Sequence, residues 1–482
     1  MTTGWPDVSA RYLIGGQWRK ASDAATVHNP ASTREIVGEV ALCTKQDVAE
    51  AIDSAADAFA SWSRSELADR ANRMSAAARE LQAVVEQNVP LFVRENGKVL
   101  VEAKKDLLRC VQIMAGGAEE LLEWWHPEKL ESGAQKVQIR KRPRGVTAVI
   151  TPWNSPLILT FKRVVPAVLA GNTVIVKPAT NCPLTVMTFL QIVAAHFPPG
   201  VINIVTGSGS MIGGMLCTDP RVRTIAFVGG TETGKEIMRL SAGTVKKLYM
   251  ELGGNDPALV LDDAVLDADT VQRLRFGILR AAGQVCSAVK RVYVHESRYE
   301  ELVDKLAKEF GRVVVGNGIQ PDATMGPLNN KSQFDFVRSL VERAQQSGAQ
   351  VIRAGRKLNP ETWEDGYFME PAIVTGADQG SEIVKEEQFG PVIPVIPFSD
   401  ADEAVALAND TEFGLRASVW TADEARAAEL ADRLEAGAVF HNNHTIFQDL
   451  HLDFPGLKES GLSRETRHCA LELFTDTYGF AN

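Results

Sequence analysis

Apolar residues recur along the chain first with a helical period and then in short blocks. From Lys45 to about Gln87 they fall three, four or seven apart (Val48, Ile52, Ala55, Ala56, Phe59, then Leu67, Met74, Leu81, Val84), predicting two long amphipathic helices. A third is predicted from Val101 to about Trp125. Ahead of them, Tyr12-Leu13-Ile14 and Gln17-Trp18 flank Gly15-Gly16, a turn whose glycines permit positive φ, so the chain opens on a hairpin.

Lys136 to Arg144 alternates Val137 and Ile139 with polar positions and then runs Arg140-Lys141-Arg142-Pro143-Arg144. Alternation predicts a strand with one covered face, here an edge strand joining another subunit, and not a targeting or nucleic-acid patch. The next hundred residues set the fold class. Short β-rich runs at Val146–Ile150, Thr173–Lys177, Val201–Val205, Thr224–Val228 and Lys247–Glu251 start 23 to 28 residues apart. Helical stretches such as Pro183–Phe197 and Thr233–Ala242 separate them. Right-handed βαβ crossovers have that rhythm, so an α/β fold with a Rossmann-like parallel sheet is predicted, its ligand site at the strands' carboxyl ends. Two glycine turns sit there, Gly207-Ser208-Gly209 followed by Gly213, and Gly229-Gly230-Thr231-Glu232-Thr233-Gly234. Neither matches the dinucleotide fingerprint and each serves a turn; both together, after consecutive strands, favour a cofactor.

Alternation of strand and helix resumes in the second half. Strands are predicted near Arg291–His295, Val351–Arg353, Val392–Pro397, Ala417–Trp420 and Ala438–Phe440, and helices near Arg298–Glu309, Ser332–Gln346 and Glu424–Leu434. This is a second layered α/β domain. Asp262-Asp263, Asp267 and Asp269 read as a solvated loop and helix start, since acidic residues favour helix N-termini. His441 and His444, with His451 and Asp453 beyond, are more tempting, since imidazoles three residues apart can share a metal; nothing fixes this loop as helical, however, and no metal is expected.

Composition narrows the partners. The 482 residues are 45% apolar and 23% charged, enough for sizeable cores, and the net charge of −10 disfavours nucleic acid as a partner. No run of about 18 apolar residues occurs and the start lacks the regions of a signal peptide, so no membrane contact and a cytoplasmic location are expected. Six scattered cysteines (Cys43, Cys110, Cys182, Cys217, Cys286, Cys469) form no Cys-x-x-Cys pair and fit a reducing compartment. Cys286 stands out. A helical pattern runs into Gly283, where the chain can turn, and delivers the thiol three residues later. Alone, such a cysteine reads more often as a packed core residue, and its company decides.

That company resembles the NAD(P)-dependent aldehyde dehydrogenases over essentially the whole chain. The resemblance rests on Thr151-Pro152-Trp153-Asn154, Val176-Lys177-Pro178-Ala179, Phe227 to Gly234, Met250-Glu251-Leu252-Gly253-Gly254-Asn255, Gly283-Gln284-Val285-Cys286 and Glu386-Glu387-Gln388-Phe389-Gly390-Pro391, in that order. The chemistry agrees. Cys286 would add to the aldehyde, and the alkoxide would be held by the Asn154 amide and the Cys286 N–H. Glu251, at a strand end, would activate water to hydrolyse the thioester.

By resemblance, the cofactor would meet Thr151, Pro152, Trp153, Lys177, Thr180, Gly207, Gly229, Gly230, Thr231, Leu252, Glu387 and Phe389. Leu159 and Lys162, one turn apart, with Val285 and Ser287, would line the substrate side, joined by His444 from the loop along the aldehyde tunnel. A cation at Lys162, where relatives often carry an aromatic, would attract a carboxylated or polar aldehyde. The resemblance implies residues 1–123 and 145–252 as cofactor domain, 253–448 as catalytic domain, 124–144 and 466–482 as an oligomerisation extension, and 449–465 as substrate-side loop. A homodimer or homotetramer follows.

Three departures matter. Thr180 stands where many NAD-preferring relatives carry a glutamate, so NADP stays open beside a slight preference for NAD. Gly230 replaces a frequent serine, and Asp453 to Gly461 departs from the usual loop sequence. Two rivals remain: a coenzyme-A-acylating enzyme, disfavoured by Glu251, and a silent structural protein, which would have lost Cys286 or Glu251.

Overall fold

A computed structural model of the chain describes residues 7–132, 135–444, 455–462 and 469–481. The predicted hairpin is β1 (Arg11–Ile14) and β2 (Gln17–Lys20), with Gly15 and Gly16 at φ 59° and 76° in its turn. A second hairpin follows, β3 (Ala24–Asn29) and β4 (Ser32–Ala41). Most of its residues are at least partly exposed, without strict alternation, so the sequence carries little strand signal there.

The three helices stand where expected: α1 (Lys45–Trp62), α2 (Leu67–Asn96) and α3 (Leu100–Trp124). Thr44 and Asp47 form a reciprocal cap that starts α1, while α2 runs through Pro90 and stops at Gly97, whose φ of 95° suits a residue without Cβ.

The basic segment is placed differently from expectation. Strands β5 (Glu128–Ser132) and β6 (Gln135–Pro143) form an antiparallel sheet with the C-terminal strand Thr475–Ala481, and β6 lies in the middle. It is therefore not an edge strand, and Thr475–Ala481 pairs with its own chain. Arg140 stacks over Phe480 at 4.0 Å and Arg142 over Tyr478 at 5.4 Å, so these cations are used across the strand pair.

The first large sheet contains β7 (Val146–Ile150), β8 (Thr173–Lys177), β9 (Ile202–Ile204), β10 (Val222–Val228) and β11 (Lys247–Glu251), parallel and in the order β11-β10-β7-β8-β9, with β1 and β2 added beyond β9. Between them run α4 (Pro156–Leu169), α5 (Leu184–Ala194), α6 (Gly214–Thr218) and α7 (Thr231–Ser241). Every residue of β8 is buried, as a parallel strand covered on both faces requires. The order reverses between β7 and β10. Loops after those strands thus border a crevice at the sheet's carboxyl edge.

A second seven-stranded sheet holds β12 (Asp256–Val260), β13 (Val289–His295) and five later strands, with α8 (Ala268–Leu279) between β12 and β13. Asp267 caps α8 by accepting from the Thr270 N–H at 2.8 Å, and Asp262 and Asp263 bind Arg426. The acidic cluster is the loop and helix start that was expected. Among the described residues no helix is long and apolar enough to cross a membrane.

Candidate active site

The thiol sits at the end of an unusual turn. After α8, Ala281 (φ 50°, ψ 37°), Ala282 (φ 55°, ψ 36°) and Gly283 (φ 74°) occupy the left-handed region in succession. For each alanine that conformation costs about 1–2 kcal/mol, so surrounding contacts must impose it. Gly283 has no alternative, because a Cβ there would lie 2.1 Å from the Gly390 carbonyl oxygen. The Gln284 side chain donates to the Ala281 carbonyl at 3.0 Å and accepts from the Asn329 N–H at 2.8 Å. Of the described cysteine thiols, those of Cys43, Cys110, Cys182 and Cys217 are buried, whereas Cys286 retains exposure.

Two sequence-distant groups meet it. Glu251, the last residue of β11, accepts from the Cys286 thiol through Oε1 at 3.5 Å. Asn154, which follows β7, donates one amide hydrogen to the Gln284 carbonyl at 3.0 Å. The β11–β12 turn presses close enough that a Cβ on Gly254 would come within 2.5 Å of the Cys286 carbonyl oxygen. Burial, and then the charge of Glu251, push the Cys286 thiol well above its ordinary pKa, with Arg416 opposing. The thiol is consequently neutral near pH 7 and needs a proton acceptor, and Glu251 is within reach.

Glu251 has a partner that sequence reasoning missed. Arg163, fully buried on α4, binds its Oε2 at 2.7 Å, donates to the Leu159 carbonyl at 3.0 Å and lies 4.9 Å from the Tyr249 ring. A charge on a nearly all-buried helix must be compensated, which was the available signal.

Cofactor candidates gather along the same edge. Trp153 meets Phe389 edge-to-face at 5.6 Å, and Phe389 is held at φ 52°. Glu387 accepts from the Gly254 N–H at 3.3 Å, and burial raises its carboxyl to about 7 while Lys290 opposes. Lys290, also missed, donates to the Val285 carbonyl at 2.5 Å and faces the Phe389 ring at 5.4 Å. Lys177 ends β8 almost fully buried with no described partner, and burial alone brings it down to about 8. Thr180 lies half-buried nearby in sequence, bringing no carboxylate. Thr151 is buried, its hydroxyl 2.8 Å from that of Thr160, Pro152 is half-buried, and Leu252 packs under Gly234.

These residues fit a dinucleotide on three observations. Open space lies where Gly230, at the N-terminus of α7, would carry a Cβ. The Thr231 hydroxyl is buried without a hydrogen-bond partner among the described atoms. Gly207 (φ 136°) and Gly229 take positions where a side chain would be strained or would strike Phe227. A helix start with open backbone suits a phosphate, and a buried lone cation suits an anionic or ribose-bearing ligand.

The predicted substrate side is partly brought together. Leu159, Val285 and Ser287 are buried, and Lys162 is half-buried on α4. His444 is corrected. It is fully buried, with Nδ1 2.9 Å from the Ser418 hydroxyl, Nε2 3.5 Å from Asp256 and its Cβ against Gly277, so its side chain is a core contact and not an accessible wall. His451 and Asp453 lie outside the described residues. Among the described residues no cluster of three metal-ligating side chains occurs.

A parallel sheet divided at a crevice, bordered by glycine turns and facing a thiol, a carboxylate and an amide, defines a nucleotide-dependent α/β enzyme. The chain belongs to the aldehyde dehydrogenase family, whose model matches residues 18–478, and is an NAD(P)-dependent oxidoreductase of aldehydes. It is 34% identical over 471 residues to the alpha-ketoglutaric semialdehyde dehydrogenase of Bacillus subtilis, covering 96% of each chain. Among solved structures, betaine aldehyde dehydrogenase from Staphylococcus aureus in complex with NAD+ superposes with a TM-score of 0.93 at 31% identity, over 98% of this chain and 94% of that one. An NADP dependent enzyme from E. coli matches with TM-score 0.93 and 31% identity, over 98% of both chains.

Proposed function

We propose that the enzyme releases a free carboxylic acid, with Cys286 as nucleophile, Asn154 as oxyanion donor and Glu251 as general base. The observation that carries this is the 3.5 Å contact between the thiol and Glu251, beside a loop that Asn154 grips through Gln284. Glu251 takes the thiol proton as sulfur bonds to the carbonyl carbon. The carbonyl oxygen becomes an alkoxide, held by the second Asn154 amide hydrogen and the Cys286 N–H. NAD(P)+, when bound, supplies the acceptor for the hydride. Re-formation of the carbonyl leaves a thioester on Cys286. Glu251 passes the thiol's proton to solvent; water then adds to the thioester while Glu251 takes a proton from it, the carbon–sulfur bond breaks, Glu251 returns that proton to the sulfur, and the acid leaves. An aldehyde panel with both cofactors, with and without coenzyme A, tests this: carboxylic acid is expected, and acyl-CoA as the main product refutes it.

Two residues bear on selectivity. Lys162 and Arg280 are half-buried cations, and Arg280 lies within electrostatic reach of Cys286 and Arg416. They favour an aldehyde with a distal carboxylate. Lys162→Met is expected to lower kcat/KM about tenfold for acidic aldehydes and little for neutral ones; equal effects on both discard the idea. At the cofactor, Thr180 leaves both dinucleotides acceptable. Thr180→Glu is expected to weaken NADP binding about tenfold or more by charge repulsion and spare NAD, as titrated by tryptophan fluorescence. The reading extends to a cytoplasmic homo-oligomer, supported by unpaired thiols and by exposed Tyr478 and Phe480 on the small sheet.

A further inference from the structure

The turn joining α2 to α3 is remote from the thiol in sequence yet meets its loop in space. Glu102, in the first turn of α3, accepts the Ala281 N–H on its carboxylate at 2.9 Å. The turn itself is locked into the chain's second half, since a Cβ on Gly318 or Gly326 would come within 2.2 Å of the Lys98 carbonyl oxygen or 1.8 Å of that of Gly97. A cycle of amides closes around it. Asn154 donates to the Gln284 carbonyl at 3.0 Å, and the Gln284 side chain accepts from the Asn329 N–H at 2.8 Å. The Asn329 side chain donates to the Asn96 carbonyl at 3.0 Å, and the Asn96 side chain returns to the Trp153 carbonyl at 2.7 Å, next to Asn154.

Within this frame Ala281 and Ala282 still have to be kept left-handed, a conformation alanine abandons when released. The Ala281 carbonyl is held by Gln284, and the Ala281 N–H is held by Glu102. Rotation of that peptide would swing every atom up to Cys286. We infer that Glu102 is a positioning residue, whose carboxylate fixes the left-handed turn and thereby aims the Cys286 thiol between Asn154 and Glu251. It rests on Cys286 as the nucleophile, but not on the identity of the product.

The test compares Glu102→Ala with Glu102→Gln in the full chain, since glutamine keeps an acceptor oxygen at the same reach. Alkylation of Cys286 by iodoacetamide, followed by peptide mapping, reads the thiol without any aldehyde. Thermal melting and NAD(P) binding serve as controls. Glu102→Ala is expected to change the Cys286 alkylation rate and lower kcat by roughly tenfold to a hundredfold, with KM, melting and cofactor binding near parent values. Glu102→Gln is expected to restore both rates to within a few-fold. Parent-like alkylation and kcat in Glu102→Ala, or a loss that Glu102→Gln fails to restore, overturns the assignment. If the alanine variant does not fold, Glu102→Asp, which withdraws the carboxylate by one methylene, carries the same expectation. A parent that oxidises no aldehyde refutes the proposed function, while the alkylation series still decides the role of Glu102.

Discussion

Cys286→Ala is expected to reduce aldehyde oxidation by roughly 10⁴-fold or more while the protein stays folded and binds its cofactor. The size follows from what the sulfur does: without a covalent adduct, hydride would have to leave an uncharged aldehyde or its hydrate, with no alkoxide on a tethered carbon to expel it. No described cysteine offers a substitute. Cys43, Cys110, Cys182 and Cys217 are buried, and among the described contacts only the Cys286 thiol donates to a carboxylate. Alanine removes one atom from a loop whose shape is set by Gly283, Gln284 and Asn329, so melting is expected to change little. NAD(P)H absorbance, a thermal melt and cofactor titration check the three parts together. A folded Cys286→Ala protein oxidising the best aldehyde at the parent's rate removes the mechanism.

What the sequence revealed, and what it concealed, follows the range of the interactions. Elements whose signal lies within a few residues were legible: the Gly15-Gly16 hairpin, the amphipathic helices α1 to α3 and the parallel strands β7 to β11 all appear near their predicted bounds. Alternation announced β6 as a strand but not which strands flank it, because pairing partners leave no mark on a strand's own periodicity. Cys286, Glu251 and Asn154 were legible as a set of motifs, and the fold brings them together. Arg163 and Glu102 were not, since each acts across 88 or 179 residues on a group it does not resemble in spacing. The left-handed Ala281-Ala282 pair was invisible for another reason. Positive φ is announced by glycine or asparagine, and alanine is forced into it here by contacts from elsewhere.

Glu251→Gln is the second large effect, and it separates the two halves of the reaction. Glutamine keeps an oxygen for Arg163, whose guanidinium is fully buried, whereas Glu251→Ala would strand that charge; breaking a buried pair costs about 3–5 kcal/mol, less here because Glu251 is 23% exposed. Steady-state turnover is expected to fall by roughly 10²- to 10⁴-fold, the span of general-base catalysis. Hydrolysis is the step that suffers most, so up to one equivalent of NAD(P)H should appear before the slow phase, with the acyl group found on Cys286 by mass spectrometry. The burst itself should slow and recover as pH rises. In the parent the raised thiol hands its proton to Glu251; in the variant the thiolate must form unaided, and its population grows about tenfold per pH unit below its pKa. A variant that deacylates at the parent's rate shows that water is activated by another group. A variant with neither burst nor adduct confines Glu251 to deprotonating the thiol, leaving the hydrolytic base to be sought elsewhere around Cys286.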